Sequence, residues 1–173
     1  VEDSLVSVIC RSGAVNYNLR FSSVTCGVSY RWKYTMTAPH FANDAEPNNS
    51  APGNTLAHDT FTEGQVQFDG DTHDYYTITP PTNGVMSFEV QAEHVGPTPG
   101  SMTLELLGSA GTVQQTWNLI VGAGGIPVDS AFSITCRSTV NPYRVRITAS
   151  SCGVSYRFKY VMTSPLFVVD VEP

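Results

Sequence analysis

Oxygen-bearing side chains gather at two places in this chain. Asp44, Glu46, Asn48 and Asn49 crowd a segment stiffened by Pro47, and Asp71 and Asp74 flank Thr72-His73 just ahead of Tyr75-Tyr76. Calcium takes about six to eight oxygens at about 2.3–2.6 Å from carboxylates, amides and carbonyls, and this set of residue types can supply them. The two groups are therefore expected to form a calcium site, with Asp69 close enough in sequence to join it. A plainer reading stands beside this one. Asp71 and Asp74 can cap a turn, and Asn48-Asn49 can belong to a linker. Asn48-Asn49-Ser50 also has the form of a glycosylation acceptor.

The cysteines fall as two pairs, Cys10 with Cys26 and Cys136 with Cys152, each with fifteen residues between. Equal spacing and an even count favour local disulfides and an oxidising compartment. Zinc is the rival, but the chain has no CxxC and no histidine near either pair. A closed loop of this size is worth about 3 kcal/mol in the chain-entropy account. Catalysis has little to build on. His40, His58, His73 and His94 are scattered, and His58-Asp59 and His73-Asp74 are sequence neighbours that a strand would point to opposite faces. Neither GxSxG, HExxH nor a phosphate-binding loop occurs. The expectation is a protein that is not an enzyme.

What must position these residues is a β-rich scaffold. From Cys26 the even positions read Cys26, Val28, Tyr30, Trp32, Tyr34, Met36, against Gly27, Ser29, Arg31, Lys33, Thr35 on the odd ones. That period of two defines a strand with one apolar face, on which Tyr30, Trp32 and Tyr34 are read as core in preference to a binding platform. The same alternation appears at Val6, Val8, Cys10 and at Tyr17, Leu19, Phe21. Further strands are expected at Gln65–Phe68, Tyr75–Thr79, Val85–Gln91, Met102–Leu107 and Thr116–Val121, separated by Gly- and Pro-rich turns. Tyr75 and Tyr76 cannot both face inward, so one of them is a surface aromatic.

Residues 3–47 and 129–173 are one sequence written twice, without a gap, at an offset of 126, with 23 of 45 positions identical. CRS at Cys10 returns at Cys136 and CGVSYR at Cys26 returns at Cys152. Such a period marks a repeat architecture and suggests a piece of a longer tandem array. On this reading residues 1–42 are closing strands of a preceding unit, 43–170 are one complete antiparallel β-sandwich of eight or nine strands, and 171–173 open the next linker. Charged residues make up 14% of the chain, against roughly 25% in soluble domains at large. The net charge of −6 argues against nucleic acid, and no apolar run approaches the roughly 20 residues of a membrane-spanning helix.

The EPNN segment at Glu46–Asn49, followed by Asp71-Thr72-His73-Asp74-Tyr75-Tyr76, resembles the bacterial pre-peptidase C-terminal domain family, to which collagen-binding modules of bacterial collagenases are related. Asn141–Arg146 and Val154–Thr163 look like the closing strands of that family, so the resemblance covers about 43–167. It implies an all-β, jelly-roll-like sandwich and calcium ligands at Asp44, Glu46, Asn48, Asn49, Asp71 and Asp74. In the second copy Asp170 and Glu172 repeat the first two acids. The expected function is a secreted or cell-surface structural or adhesive unit whose partners are copies of itself in a head-to-tail fibre or stalk. The alternative is an accessory module of a secreted hydrolase that binds a collagen-like protein or a polysaccharide.

Overall fold

The computed structural model describes residues 17–36, 38–45, 48–66 and 71–164, and only the backbone of Cys136. Every regular element among them is a strand: β1 (Asn54–Thr55), β2 (Thr62–Val66), β3 (Asp74–Ile78), β4 (Gly84–His94), β5 (Gly100–Leu107), β6 (Val113–Val121), β7 (Val128–Arg137), β8 (Tyr143–Ala149) and β9 (Val154–Thr163). They form two sheets, ordered β1-β3-β8-β5-β6 and β2-β9-β4-β7. All pairings between strands are antiparallel apart from the two-residue parallel contact of β1 with β3, and an isolated parallel bridge joins Glu93 to Gly122. The architecture is an all-β sandwich.

Alternation makes the core. Along β5 and β8 every second residue is buried, which turns Met102, Leu104, Leu106, Val145 and Ile147 inward from one sheet. Phe88, Val90, Val154, Phe158 and Tyr160 meet them from the other. Each of these side chains contributes roughly 1.5–3 kcal/mol by leaving water. β2 crosses β9 where Gly64 faces Tyr156. A Cβ at that glycine would lie 2.4 Å from the Tyr156 hydroxyl oxygen, so the missing side chain is the space the phenol occupies. Tyr76 is buried while Tyr75 points outward, its hydroxyl accepting a 3.5 Å bond from Arg146.

The two copies of the repeated sequence have different fates. The second copy forms β7, β8 and β9, and its last two strands take the middle places: β8 lies between β3 and β5, and β9 between β2 and β4. The first copy does not form the strands expected at Tyr17–Phe21 and Cys26–Met36; those residues have no regular secondary structure. A strand is stabilised by its neighbours' ladders and not by its own pattern, and the places that would supply those ladders here are already filled. Its apolar face is consequently outside: Trp32 is 52% exposed where its counterpart Phe158 is 0%, and Tyr34 is 76% exposed where Tyr160 is 1%. The strand expected around Val6–Cys10 lies outside the described residues.

Candidate functional site

Three of the expected acid-site residues meet at the edge of the core. Asp74 opens β3 and is fully buried, Asn48 is fully buried in the loop ahead of it, and Asp44 is half-buried four residues earlier. The backbone ties the loop to the strand, since Tyr75 N–H donates to Asn48 O at 2.9 Å. The Asn48 amide donates to Asp44 Oδ2, and the Tyr76 hydroxyl donates to the same oxygen at 2.5 Å. Tyr76 and Tyr156 share a hydrogen bond at 2.8 Å, and Tyr156 donates to Asp74 Oδ2. One connected network therefore runs Asn48, Asp44, Tyr76, Tyr156, Asp74 across both sheets.

Burial pushes both phenols up from their ordinary value of 10.0, reinforced by Asp44 and Asp74 at Tyr76 and by Tyr76 and then the same two carboxylates at Tyr156. They stay protonated and act as donors. Oδ1 of Asp44, Asn48, Asp71 and Asp74 is buried in every case. Asp71 is half-buried three residues ahead of Asp74, Asn49 is exposed, and Glu46, Asp69, Asp170 and Glu172 lie outside the described residues. Among the described residues no three His, Cys, Asp or Glu side chains group closely enough to hold a metal by themselves. The converging set is two carboxylates and one amide, all oxygen donors of the type calcium prefers. Burial of Asn48 removes it from any glycosylating enzyme in the folded chain.

A second polar arrangement escaped the sequence reading. Glu93 is fully buried at the end of β4, where Oε1 accepts from His40 N–H and, at 2.7 Å, from the Ser155 hydroxyl. Ala42 N–H donates to Glu63 at 2.9 Å, and the Gln65 amide donates to Phe41 O at 2.7 Å. Phe41 is buried beneath this clasp with the Arg157 guanidinium 5.7 Å over its ring. The boundary expected at Asn43 thus falls inside a segment packed on the sandwich. The sequence carries no mark of it, because Glu93 follows Ala92 on the polar side of the alternation; only the structure shows Ala92, Glu93 and His94 buried in succession.

The histidines serve the fold. His94 bridges Thr98 O at 2.7 Å and Cys152 O at 2.9 Å, His58 accepts from Met162 N–H at 2.9 Å, and His73 bonds Thr72. Asp59, beside His58, pairs instead with Lys159 at 2.8 Å. Cys26 is an exposed free thiol and Cys152 is disulfide-bonded. Cys10 and the Cys136 side chain lie outside the described residues.

The chain is similar in structure to the pre-peptidase C-terminal domain of a collagenase from Bacillus anthracis, at 18% identity, covering 68% of this chain and 99% of that one with a TM-score of 0.43. It is also similar to a family 35 carbohydrate-binding module from Clostridium thermocellum, at 10% identity over 60% of this chain and 83% of that one, TM-score 0.39. A carbohydrate-binding module of a Cellvibrio mixtus lichenase, solved in complex with cellotriose, gives 15% identity over 62% and 92%, TM-score 0.38. No protein-family model and no curated protein matches the chain.

Proposed function

We propose that this chain is a non-enzymatic extracellular module, a calcium-stabilised β-sandwich that works as a structural or adhesive unit in a head-to-tail array of its own kind. The observation that carries it is the pair of fates above: one copy of the repeated sequence completes a sandwich, and the other holds the same side chains ready on the outside. Large exposed aromatic surfaces are covered by partners in soluble proteins. The first-copy residues up to Met36 then belong with a preceding unit, the segment from Ala38, which carries the Phe41 clasp, goes with residues 43–170 in their own sandwich, and 171–173 with the next linker. A heterologous contact of this kind propagates instead of closing at a dimer.

Calcium would be held by Asp44, Asn48, Asp71 and Asp74, with Glu46 and Asn49 from the same loop, and would neutralise carboxylates drawn together at the sandwich edge. Binding only to the folded form stabilises it by about 2.7 kcal/mol at 100 times the dissociation constant. A local bridge Cys136–Cys152 would close the turn ahead of the last strand in the second copy, and Cys26, a free thiol in the undocked first copy, would pair with Cys10 once that copy lies in a sandwich.

Two measurements test this reading. The melting midpoint should rise with calcium and fall with chelator, and Asp74→Asn should abolish the difference; an unchanged midpoint removes calcium. Sedimentation should show the full chain associating with concentration while a version beginning at Ala38, which keeps the Phe41 clasp, stays monomeric. A full chain that stays monomeric at all concentrations removes assembly between separate chains.

The alternative, a module that binds a fibrous protein or a polysaccharide, is favoured by one observation. Exposed Phe61 carries Arg157 at 4.8 Å and Lys159 at 5.1 Å against its ring, beside Glu89 and Gln91 on the open face of the four-stranded sheet. Retention of monomeric protein on collagen or on a cellulose matrix, lost in Phe61→Ala, would decide for it.

A further inference from the structure

The first copy of the repeat matches the second at the positions where β9 makes specific contacts. Ser155 bonds Glu93, Tyr156 bonds Asp74 and Tyr76, Arg157 bonds Gln91 and covers Phe61, Lys159 pairs with Asp59 and Glu89, and the Tyr160 hydroxyl donates to Thr79 O. At an offset of 126 the residues are Ser29, Tyr30, Arg31, Lys33 and Tyr34, every one unchanged. None of these side chains is needed where the first copy now lies, since all five are exposed. The turn that delivers the strand is already shaped: Gly27 has φ 80° and Gly153 has φ 85°, both in the left-handed region. The apolar face is already gathered, with Phe21 stacked on Tyr30 at 4.4 Å and Trp32 on Tyr34 at 6.2 Å.

We infer that residues 17–36 are the two middle strands of another copy of this sandwich, with Val28–Met36 lying between that copy's β2 and β4, and Tyr17–Phe21 between its β3 and β5. This rests on the array reading above and gives it a register. Transposing the pairing of β9, Trp32 faces Thr62 and Val90 of the acceptor, Tyr30 faces Gly64 and Ala92, and Val28 faces Val66. Gly64 gives the Tyr30 hydroxyl the room it gives Tyr156. Lys33 meets Asp59 and Glu89, so the charges match as well as the shapes. The acceptor is a unit whose middle places are open, because in this chain β8 and β9 fill them. On the apolar face of the β9 counterpart the only change is Trp32 for Phe158, an aromatic for an aromatic.

The experiment gives the chain its acceptor covalently, by placing a copy of residues 38–126, which includes the Phe41 clasp, ahead of Val1 of the full chain. Trp32 and Trp117 are the only tryptophans, so Trp117→Phe in both copies leaves Trp32 as the sole reporter. In the unjoined chain at low concentration Trp32 should emit as an exposed indole and be quenched freely by acrylamide. In the joined protein its emission should shift to the blue and quenching should fall several-fold. Tyr30→Asp should undo that protection in the joined protein and leave the melting midpoint of the unjoined chain unchanged. As a second measurement, Val28→Cys with Val66→Cys in the leading copy should form a bridge, whereas Val28→Cys with Val85→Cys in that copy should not. A joined protein that aggregates, or folds with Trp32 still open to quencher, overturns the assignment. If the unjoined chain associates with Trp32 still open, the array stands and this register falls; if it never associates and the joined protein leaves Trp32 open, both fall.

Discussion

The tyrosines show what separates a side chain used for its shape from one used for its hydroxyl. Between the two copies Tyr17/Tyr143, Tyr30/Tyr156 and Tyr34/Tyr160 are unchanged, while Trp32 has become Phe158, Phe21 has become Ile147 and Leu19 has become Val145. In the second copy each retained tyrosine uses its oxygen: Tyr143 accepts from Ser138 N–H at 3.1 Å, Tyr156 donates to Asp74, and Tyr160 donates to Thr79 O. The changed positions only fill space. Tyr156→Phe should therefore cost about 1–3 kcal/mol, because a buried carboxylate loses a donor, and urea unfolding would measure it. The pH dependence follows from the raised phenols. Below pH 10 Tyr76 and Tyr156 are protonated folded or unfolded; above it the unfolded chain releases protons that the folded chain retains, so stability falls as pH rises. Unfolding midpoints between about pH 8 and about pH 11 should decline, and the decline should be shallower in Tyr156→Phe. Asp44, Asn48 and Asp74 were legible by type as oxygen-bearing side chains of one cluster, whereas the tyrosines that bond them were hidden inside an apolar alternation.

Among the elements, alternation placed most strands of the second copy and the middle segment but missed two kinds of feature. β1 is two residues long and has no period to read, and β2 begins at Thr62, ahead of the expected Gln65, through a glycine that no propensity scale favours in a strand. Conversely, Cys26–Met36 has as good a period as β9 and is not a strand, since pairing partners are not written in the segment itself. A matched pair of substitutions separates pattern from pairing. Phe158→Ala should cost about 3–5 kcal/mol. Trp32→Ala in the monomeric chain should change stability by less than about 0.5 kcal/mol, both read from chemical denaturation. The Phe41 clasp belongs to this scale as well. Phe41→Ala should cost about 3–5 kcal/mol even though the residue precedes every strand among the described residues, and hydrogen exchange should show the amides of His40 and Ala42 losing protection together.

For the molecule as a whole, the sequence repeat and the sheet order agree on which strands matter most. The repeated stretch supplies one edge strand, β7, and the central strands β8 and β9, so the part written twice is the part that joins the two sheets into one core. The disulfide prediction sits at the same scale, because Cys152 lies in the turn between those two central strands. Non-reducing peptide mapping should recover Cys136–Cys152 as one peptide pair, and Cys10–Cys26 as another once the first copy is docked in a sandwich, Cys26 being a free thiol before that. A Cys10–Cys136 pair would rule out local closure. Sequence alone could put the strands of the sandwich at eight or nine, but their order depends on long-range ladders, and only the structure places the last two strands in the middle.

That placement has a consequence for how the protein is made. A ribosome delivers β1 to β6 first, yet β2 and β4 have no ladder between them, and β3 and β5 none, until β8 and β9 arrive. At roughly 5–20 residues per second, the stretch from the end of β6 to the end of β9 takes roughly two to eight seconds to emerge. Throughout that interval Tyr76, Met102 and Phe88 lack the central strands that cover them in the finished sandwich. In an array, every unit passes through this waiting period before its own closing strands arrive. Strict order of synthesis then keeps each pair of middle strands with the unit that has just been translated.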